Sequence, residues 1–226
     1  MAEAEGRYSE ASVHYRKSLQ ASQQANATWI MSRTYRGLGI VAQSQGDYLN
    51  AKDFYLKSLG KRMEIGDKRG LVNYYSRLSA IALGLNDMGE ARLLLDKSYE
   101  TMYGTPSRPT LGLLQFNKGL IEQTSRQSKA AMTAFRQCLA IRQEIGERRG
   151  VARAMEAIGR LYIEMGKEKK AAWMFGAASS IRTLSSAPLS PNEEKKYRAW
   201  IDEARKKSPK EYENGEKKMR EEIVIV

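Results

Sequence analysis

The chain has 226 residues, 42% of them hydrophobic, and no apolar run approaches the ~20 residues a membrane-spanning helix needs. A single cysteine excludes an internal disulfide framework, and Met1-Ala2-Glu3-Ala4-Glu5 lacks the basic and apolar stretches of a secretion signal, so a cytoplasmic protein is expected. The formal net charge is +12, and most of the excess lies before Arg182, where 27 Lys and Arg face 17 Asp and Glu.

From the N-terminus, Gly6 reads as a turn, with residues 1–5 as the last turn of one helix and a second helix over about Tyr8 to Gln24. Ala11, Tyr15, Ser18 and Leu19 would share its buried face. The same residue types return forty positions on, in Gly46, Tyr48, Ala51, Tyr55, Ser58 and Leu59, preceded by Tyr35, Leu38, Gly39 and Ala42. Another forty gives Tyr75, Leu78, Ala82, Met88, Ala91, Leu95 and Ser98. The fourth copy holds Gly119, Ala131, Phe135, Cys138 and Leu139, and the fifth Met155, Ile158, Gly159, Gly166, Ala171, Phe175 and Ala178. The alanine at 11, 51, 91, 131 and 171 never breaks. A small residue there lets the two helices of a hairpin approach closely, and the large residue four positions later is expected to fill the groove against the next hairpin.

Two turns are nearly identical, Ile65-Gly66-Asp67-Lys68-Arg69-Gly70 and Ile145-Gly146-Glu147-Arg148-Arg149-Gly150. Gly suits a left-handed C-cap, and the acid after it suits the positive end of the next helix. These residues at these offsets resemble a tetratricopeptide repeat of the forty-residue type, six longer than the usual ~34. The resemblance extends to the repeats of bacterial regulatory proteins and of Leu-Gly-Asn scaffolds. It implies an all-α fold, a right-handed α-solenoid of antiparallel helix hairpins over residues 1–184, with the first repeat incomplete. The incomplete repeat leaves an open groove at the N-terminal end and suggests a fragment of a longer protein, or an end closed by self-association.

After the fifth copy, Ser185-Ser186-Ala187-Pro188-Leu189 breaks the pattern, and residues 185–226 are expected to form C-terminal capping helices. Ser190-Pro191-Asn192-Glu193 and Ser208-Pro209-Lys210-Glu211 each form a capping box with Pro at the first helical position. Tyr197, Trp200, Ile201 and Ala204 make one apolar stripe suited to covering the last repeat. With Phe175-Gly176-Ala177-Ala178, Pro188-Leu189-Ser190-Pro191, Tyr212, Gly215 and Met219, this tail resembles the end of the helical-repeat region in large bacterial LuxR-type ATP-binding regulators and related cyclase-linked signalling proteins. The resemblance implies a sensor or interaction arm, not an ATPase or DNA-binding domain.

No enzymatic constellation is visible and no cofactor or metal is expected. His14 stands at an outward offset and has no convergent partners, and Cys138 occupies a small packing position. There is no Gly-x-x-x-x-Gly-Lys-Ser/Thr phosphate loop. Glu193-Glu194, Asp202-Glu203 and Glu221-Glu222 read as solvated faces, because adjacent residues on a helix point apart.

The chemistry instead lies on the first helix of each hairpin, whose inward offsets would line a concave face. They select Arg33 and Arg36, then Asn73, Ser76 and Arg77, then Asn117, Leu120 and Gln123, then Arg153, Glu156 and Arg160. Arginine and asparagine there can hold carboxylates or a peptide backbone, so the proposed partner-binding residues are Arg33, Arg36, Asn73, Arg77, Asn117, Arg153 and Arg160. The clamp spacing of chaperone-binding repeats is occupied by Arg36 and Ile40, a departure from that pattern. An acidic protein segment is the expected partner. The alternative is a nucleic-acid-binding helical repeat, but no recognition motif, dense basic run or aromatic platform accompanies the charge.

Overall fold

The computed structural model describes the backbone of residues 2–67, 71–102 and 107–224, and side chains from Arg7 to Glu221 within those ranges. All the regular structure among the described residues is helical, in the order α1 (Ala2–Gln24), α2 (Thr28–Gln45), α3 (Tyr48–Glu64), α4 (Leu71–Gly84), α5 (Met88–Glu100), α6 (Arg108–Thr124), α7 (Ser128–Glu144), α8 (Arg148–Glu164), α9 (Glu168–Leu184), α10 (Pro191–Lys207) and α11 (Pro209–Val224). The fold is all-α and solenoid-like, as the repeat requires.

The second helices begin at Tyr48, Met88, Ser128 and Glu168, forty residues apart. Between helices, residues 26, 46, 66, 86, 126, 146, 166 and 186 all have positive φ, so the period divides into two halves of twenty residues. At each such turn an amide reaches back five residues, as Asp47 N–H does to the Ala42 carbonyl at 2.9 Å and Glu147 N–H does to Arg142 at 3.0 Å. This is the Schellman closure, and it satisfies carbonyls that a helix end leaves open. Glycine fits the left-handed position at 66 and 146 without a Cβ penalty. The acids that follow pair with a basic residue of the helix just ended, Asp67 with Arg62 and Glu147 with Arg142.

Ala51, Ala91, Ala131 and Ala171 have no exposed surface. The aromatic four residues later packs on two sides. A Cβ on Gly39 would lie 3.1 Å from the Tyr55 ring, and Gly119 and Gly159 stand in the same relation to Phe135 and Phe175 at 2.5 and 3.0 Å. The ring therefore sits on a glycine in the first helix of its own hairpin and also meets the next one, Tyr55 sharing a cluster with Tyr74, Leu78 and Ile81 of α4 and Phe135 with Ala154, Ala157 and Ile158 of α8. Buried Ser58 completes the first of these hairpins by donating from Oγ to the Ser32 carbonyl at 2.6 Å. Ala91→Leu is accordingly expected to overpack its hairpin and cost about 1–3 kcal/mol, whereas exposed His14→Ala is near neutral. Urea unfolding of the two variants checks this; equal effects would overturn the register.

At the N-terminus, helix α1 runs without a break through Gly6, contrary to the expected turn. Ala2-Glu3-Ala4-Glu5 are strong helix formers, and one glycine costs a helix only about 1 kcal/mol.

By contacts the chain divides into two units, Met1–Pro106 with Ser190–Asn192, and Ser107–Leu189 with Glu193–Val226. The two C-terminal helices start at Pro191 and Pro209, as expected. Helix α11 covers α9: Gly215 faces the Trp173 carbonyl, Gly176 faces the Tyr212 carbonyl, and Met219 joins Ala177, Ala178 and Ile181 in one buried cluster. Helix α10 packs beside α8, the first helix of the last repeat. Its Glu193 meets Arg153, its Trp200 meets Arg160, and its Ala204 belongs to the core cluster containing Leu161 and Tyr162.

Candidate partner-binding surface

In the first unit, three of the selected arginines rise from α2 and α4. Arg33 is exposed, with its guanidinium 4.6 Å from the centre of the Trp29 ring one turn earlier. Arg36 is half-buried one turn further on. Arg77 is held in place: its Nε donates to Asn73 Oδ1 at 2.8 Å, its Nη1 donates to the Tyr55 hydroxyl at 3.4 Å, and its guanidinium lies 5.9 Å from that ring's centre. Asn73 thus orients an arginine through its side-chain oxygen. Burial pushes the Tyr55 phenol above its ordinary pKa, opposed by the charges of Arg77 and Arg36. Among the described residues none of Arg33, Arg36 and Arg77 forms an ion pair.

Beside Arg33 and Arg36, helices α1 and α2 enclose a groove of about 390 Å³, walled by Tyr15 and Ser18 on one side and by Trp29, Ile30 and Ile40 on the other. Trp29 and Ile30 are 49% and 44% exposed, a large apolar surface to leave in water.

The second unit treats its share of the face differently. Arg153 is sandwiched, with its guanidinium 4.8 Å from the Phe116 ring centre and its Nε donating to Glu193 Oε1 at 2.9 Å. Arg160 stacks on Trp200 at 4.5 Å and donates to Glu164 at 3.1 Å. Both are engaged within their own unit, in large part by α10. Asn117 is only 1% exposed and forms part of the interior, so it leaves the candidate surface. Glu156, placed on the concave face by its offset, is also interior. Its two oxygens accept from Arg182 Nε at 2.6 Å and Nη2 at 2.8 Å, with the two residues 1% and 7% exposed. Burial pushes the Glu156 carboxyl up, and the Arg182 hydrogen bonds oppose that.

Glu193 corrects the reading of paired acids as solvated. It is buried, 3.6 Å from Arg149 and 3.9 Å from Arg182 in addition to its contact with Arg153. Its neighbour Glu194 pairs along the helix with Arg198. Tyr197, buried beside Glu156 and Glu193, has its phenol pushed up to about 12 by desolvation first and by those carboxylates second. Sequence reasoning missed Trp29 as a surface residue; its place four residues before Arg33, on the same side of α2, is the signal that marks it. Cys138 is buried and burial raises its thiol pKa, the opposite of an activated nucleophile.

No helix among the described residues is long and apolar enough to cross a membrane. No curated protein matches the chain. A crystal structure of BtubC (BKLC) from P. vanneervenii is similar, with a TM-score of 0.56 and 17% identity over 98% of this chain and 91% of that one, a likeness of fold. Two family models described as tetratricopeptide repeat match, over residues 30–103 and 114–145. Such repeats generally mediate protein–protein interaction and are typically non-enzymatic scaffold modules. This chain carries tetratricopeptide repeats in both of its units.

Proposed function

We propose that the chain is a protein-interaction module that binds an acidic peptide or protein segment through the arginines of its first helices, as the regulatory or sensor arm of a cytoplasmic signalling or transcription-regulating protein. The observation that carries this reading is the group Arg33, Arg36 and Arg77, three guanidinium groups without an ion pair among the described residues, one of them preset by Asn73. Arginine presents five donors in a rigid fork and suits carboxylates better than lysine does. Arg153 and Arg160 contribute less to this surface, since Glu193, Glu164 and Trp200 already engage them.

The test uses a labelled oligo-glutamate peptide and a single-stranded oligonucleotide as competing polyanions. Peptide binding is expected to weaken with salt, and Arg33→Ala/Arg36→Ala/Arg77→Ala is expected to reduce it more than tenfold. Each charge-assisted hydrogen bond contributes about 1.5–3 kcal/mol when desolvated, and much less at an exposed position such as Arg33. If the triple variant binds the peptide with unchanged affinity and salt dependence, the arginine face is not the site. If the oligonucleotide binds more tightly than the peptide, the chain is a nucleic-acid-binding repeat instead.

A further inference from the structure

The outer side of α3 is apolar where the other second helices are not. Leu49, Leu56 and Met63 stand seven residues apart on this helix and are 72%, 47% and 62% exposed. Seven residues make almost two turns, so the three side chains form one stripe along the helix. Ala51, Tyr55 and Ser58 lie on the opposite side, where α3 stacks against α2 and α4, so the stripe is not part of the contact between neighbouring hairpins. Forty residues on, α5 places Gly89 and Asp96 at the stripe's first two positions, and eighty residues on α7 places Lys129, Arg136 and Gln143 at all three. Those residues suit water. On α9 the middle position is Gly176, which is closed by the Tyr212 carbonyl of α11. Of these four outer faces two are polar, one lies under a helix, and that of α3 is apolar and uncovered among the described residues.

Two properties of the stripe identify its occupant. The first is symmetry. Leu49 and Met63 are equidistant from Leu56, so the helix read in reverse presents the same spacing. A second copy of α3 laid antiparallel sets Leu56 on its own counterpart and Leu49 on Met63 of the other copy, the self-complementary arrangement of a two-fold interface. Gly60 lies on the same side, and a Cβ there would meet nothing within 4 Å, which gives a facing helix room to approach. The second property is charge. Every basic residue of α3 already has an acid of its own chain: Lys52 has Glu90 at 2.6 Å, Lys57 has Asp53 at 2.7 Å, Lys61 has Glu64 at 2.9 Å, and Arg62 has Asp67. The face therefore asks for no counter-charge, and two copies can meet there although the whole chain carries +12.

We infer that the outer face of α3 is a self-association surface, through which two copies of the chain pair antiparallel about Leu56. This pairing is distinct from the arginine face and leaves it open, since Tyr55, which meets Arg77, lies on the other side of α3. A single helix pair belongs to the small interfaces, below about 1,200 Å², so the dimer has a dissociation constant on the order of 10–100 µM.

Sedimentation of the full chain is expected to pass from monomer to dimer across that range. Leu56→Glu sets two carboxylates face to face and should weaken association at least tenfold, with the melting temperature of the dilute chain unchanged because Leu56 is exposed. Cysteines report the direction of pairing under a mild oxidant. Leu56→Cys should give a disulfide-linked dimer by itself, whereas Leu49→Cys and Met63→Cys should link to each other when mixed and not when alone. Cys138 is buried and takes no part. A chain that stays monomeric throughout overturns the proposal, and so does a dimer indifferent to Leu56→Glu. Self-linkage of Leu49→Cys would mean parallel pairing and overturns it as well. Binding of the oligo-glutamate peptide is a separate readout that Leu56→Glu leaves intact, so either reading can fail while the other stands.

Discussion

Arg182→Ala lowers the unfolding free energy by about 3–5 kcal/mol, the range for breaking one side of a buried ion pair. Glu156 is left with a carboxylate in the interior of the second unit, 1% exposed, without the two hydrogen bonds that satisfied it. The same substitution removes the Arg182 Nη1 donor from the Ala187 and Pro188 carbonyls, at 3.1 and 3.4 Å, which fix the segment leading into α10. Urea unfolding measures the loss. Adding Glu156→Leu should return part of it, because the unpaired buried carboxylate is removed while the cavity left by the arginine remains. A loss under about 1 kcal/mol for the single variant, in the range of an exposed pair, would show that the bidentate contact is not kept in solution.

Gly176→Ala should be nearly as costly, at about 3 kcal/mol, because the atom it would strike is backbone. Its Cβ would lie 2.0 Å from the Tyr212 carbonyl oxygen and 2.8 Å from the carbonyl carbon, and Gly215 makes the reciprocal approach to Trp173 and Ala177. A flexible side chain can swing away from such a contact, but a helix can only move as a body. Thermal unfolding of Gly176→Ala beside Gly60→Ala provides the check. A Cβ at Gly60 meets nothing within 4 Å, so there the change should be neutral or mildly stabilising through helix propensity. Equal melting temperatures would mean that α11 does not cross α9 at these glycines.

Much of the repeat was readable because packing demands a fixed residue size at a fixed offset. Ala51, Ala91, Ala131 and Ala171 mark the crossing inside each hairpin, and the glycines at 46, 66, 146 and 166 mark turns that need positive φ. Tyr197, Trp200, Ile201 and Ala204 announced that one face of α10 is buried, but an apolar stripe does not say what it is buried against. Its destination on α8 is fixed by Glu193 meeting Arg153 and by Trp200 meeting Arg160, contacts between residues forty positions apart with no local signature. Asn117 and Glu156 were assigned to the surface because periodicity gives a residue's direction around its helix, not whether another element stands in that direction.

The placement of α10 has a kinetic and thermodynamic consequence for the second unit. Helix α9 ends at Leu184 and α11 is locked onto α9 through Gly176 and Gly215, so α10 is tethered at both ends beside the face of α8. A segment tethered through so few linker residues has an effective concentration on the order of millimolar at its own seat. An outside ligand directed at Arg153 and Arg160 competes with that resident at every encounter, however well it matches the site. Arg33, Arg36 and Arg77 face no such resident among the described residues, and a dilute partner reaches them first.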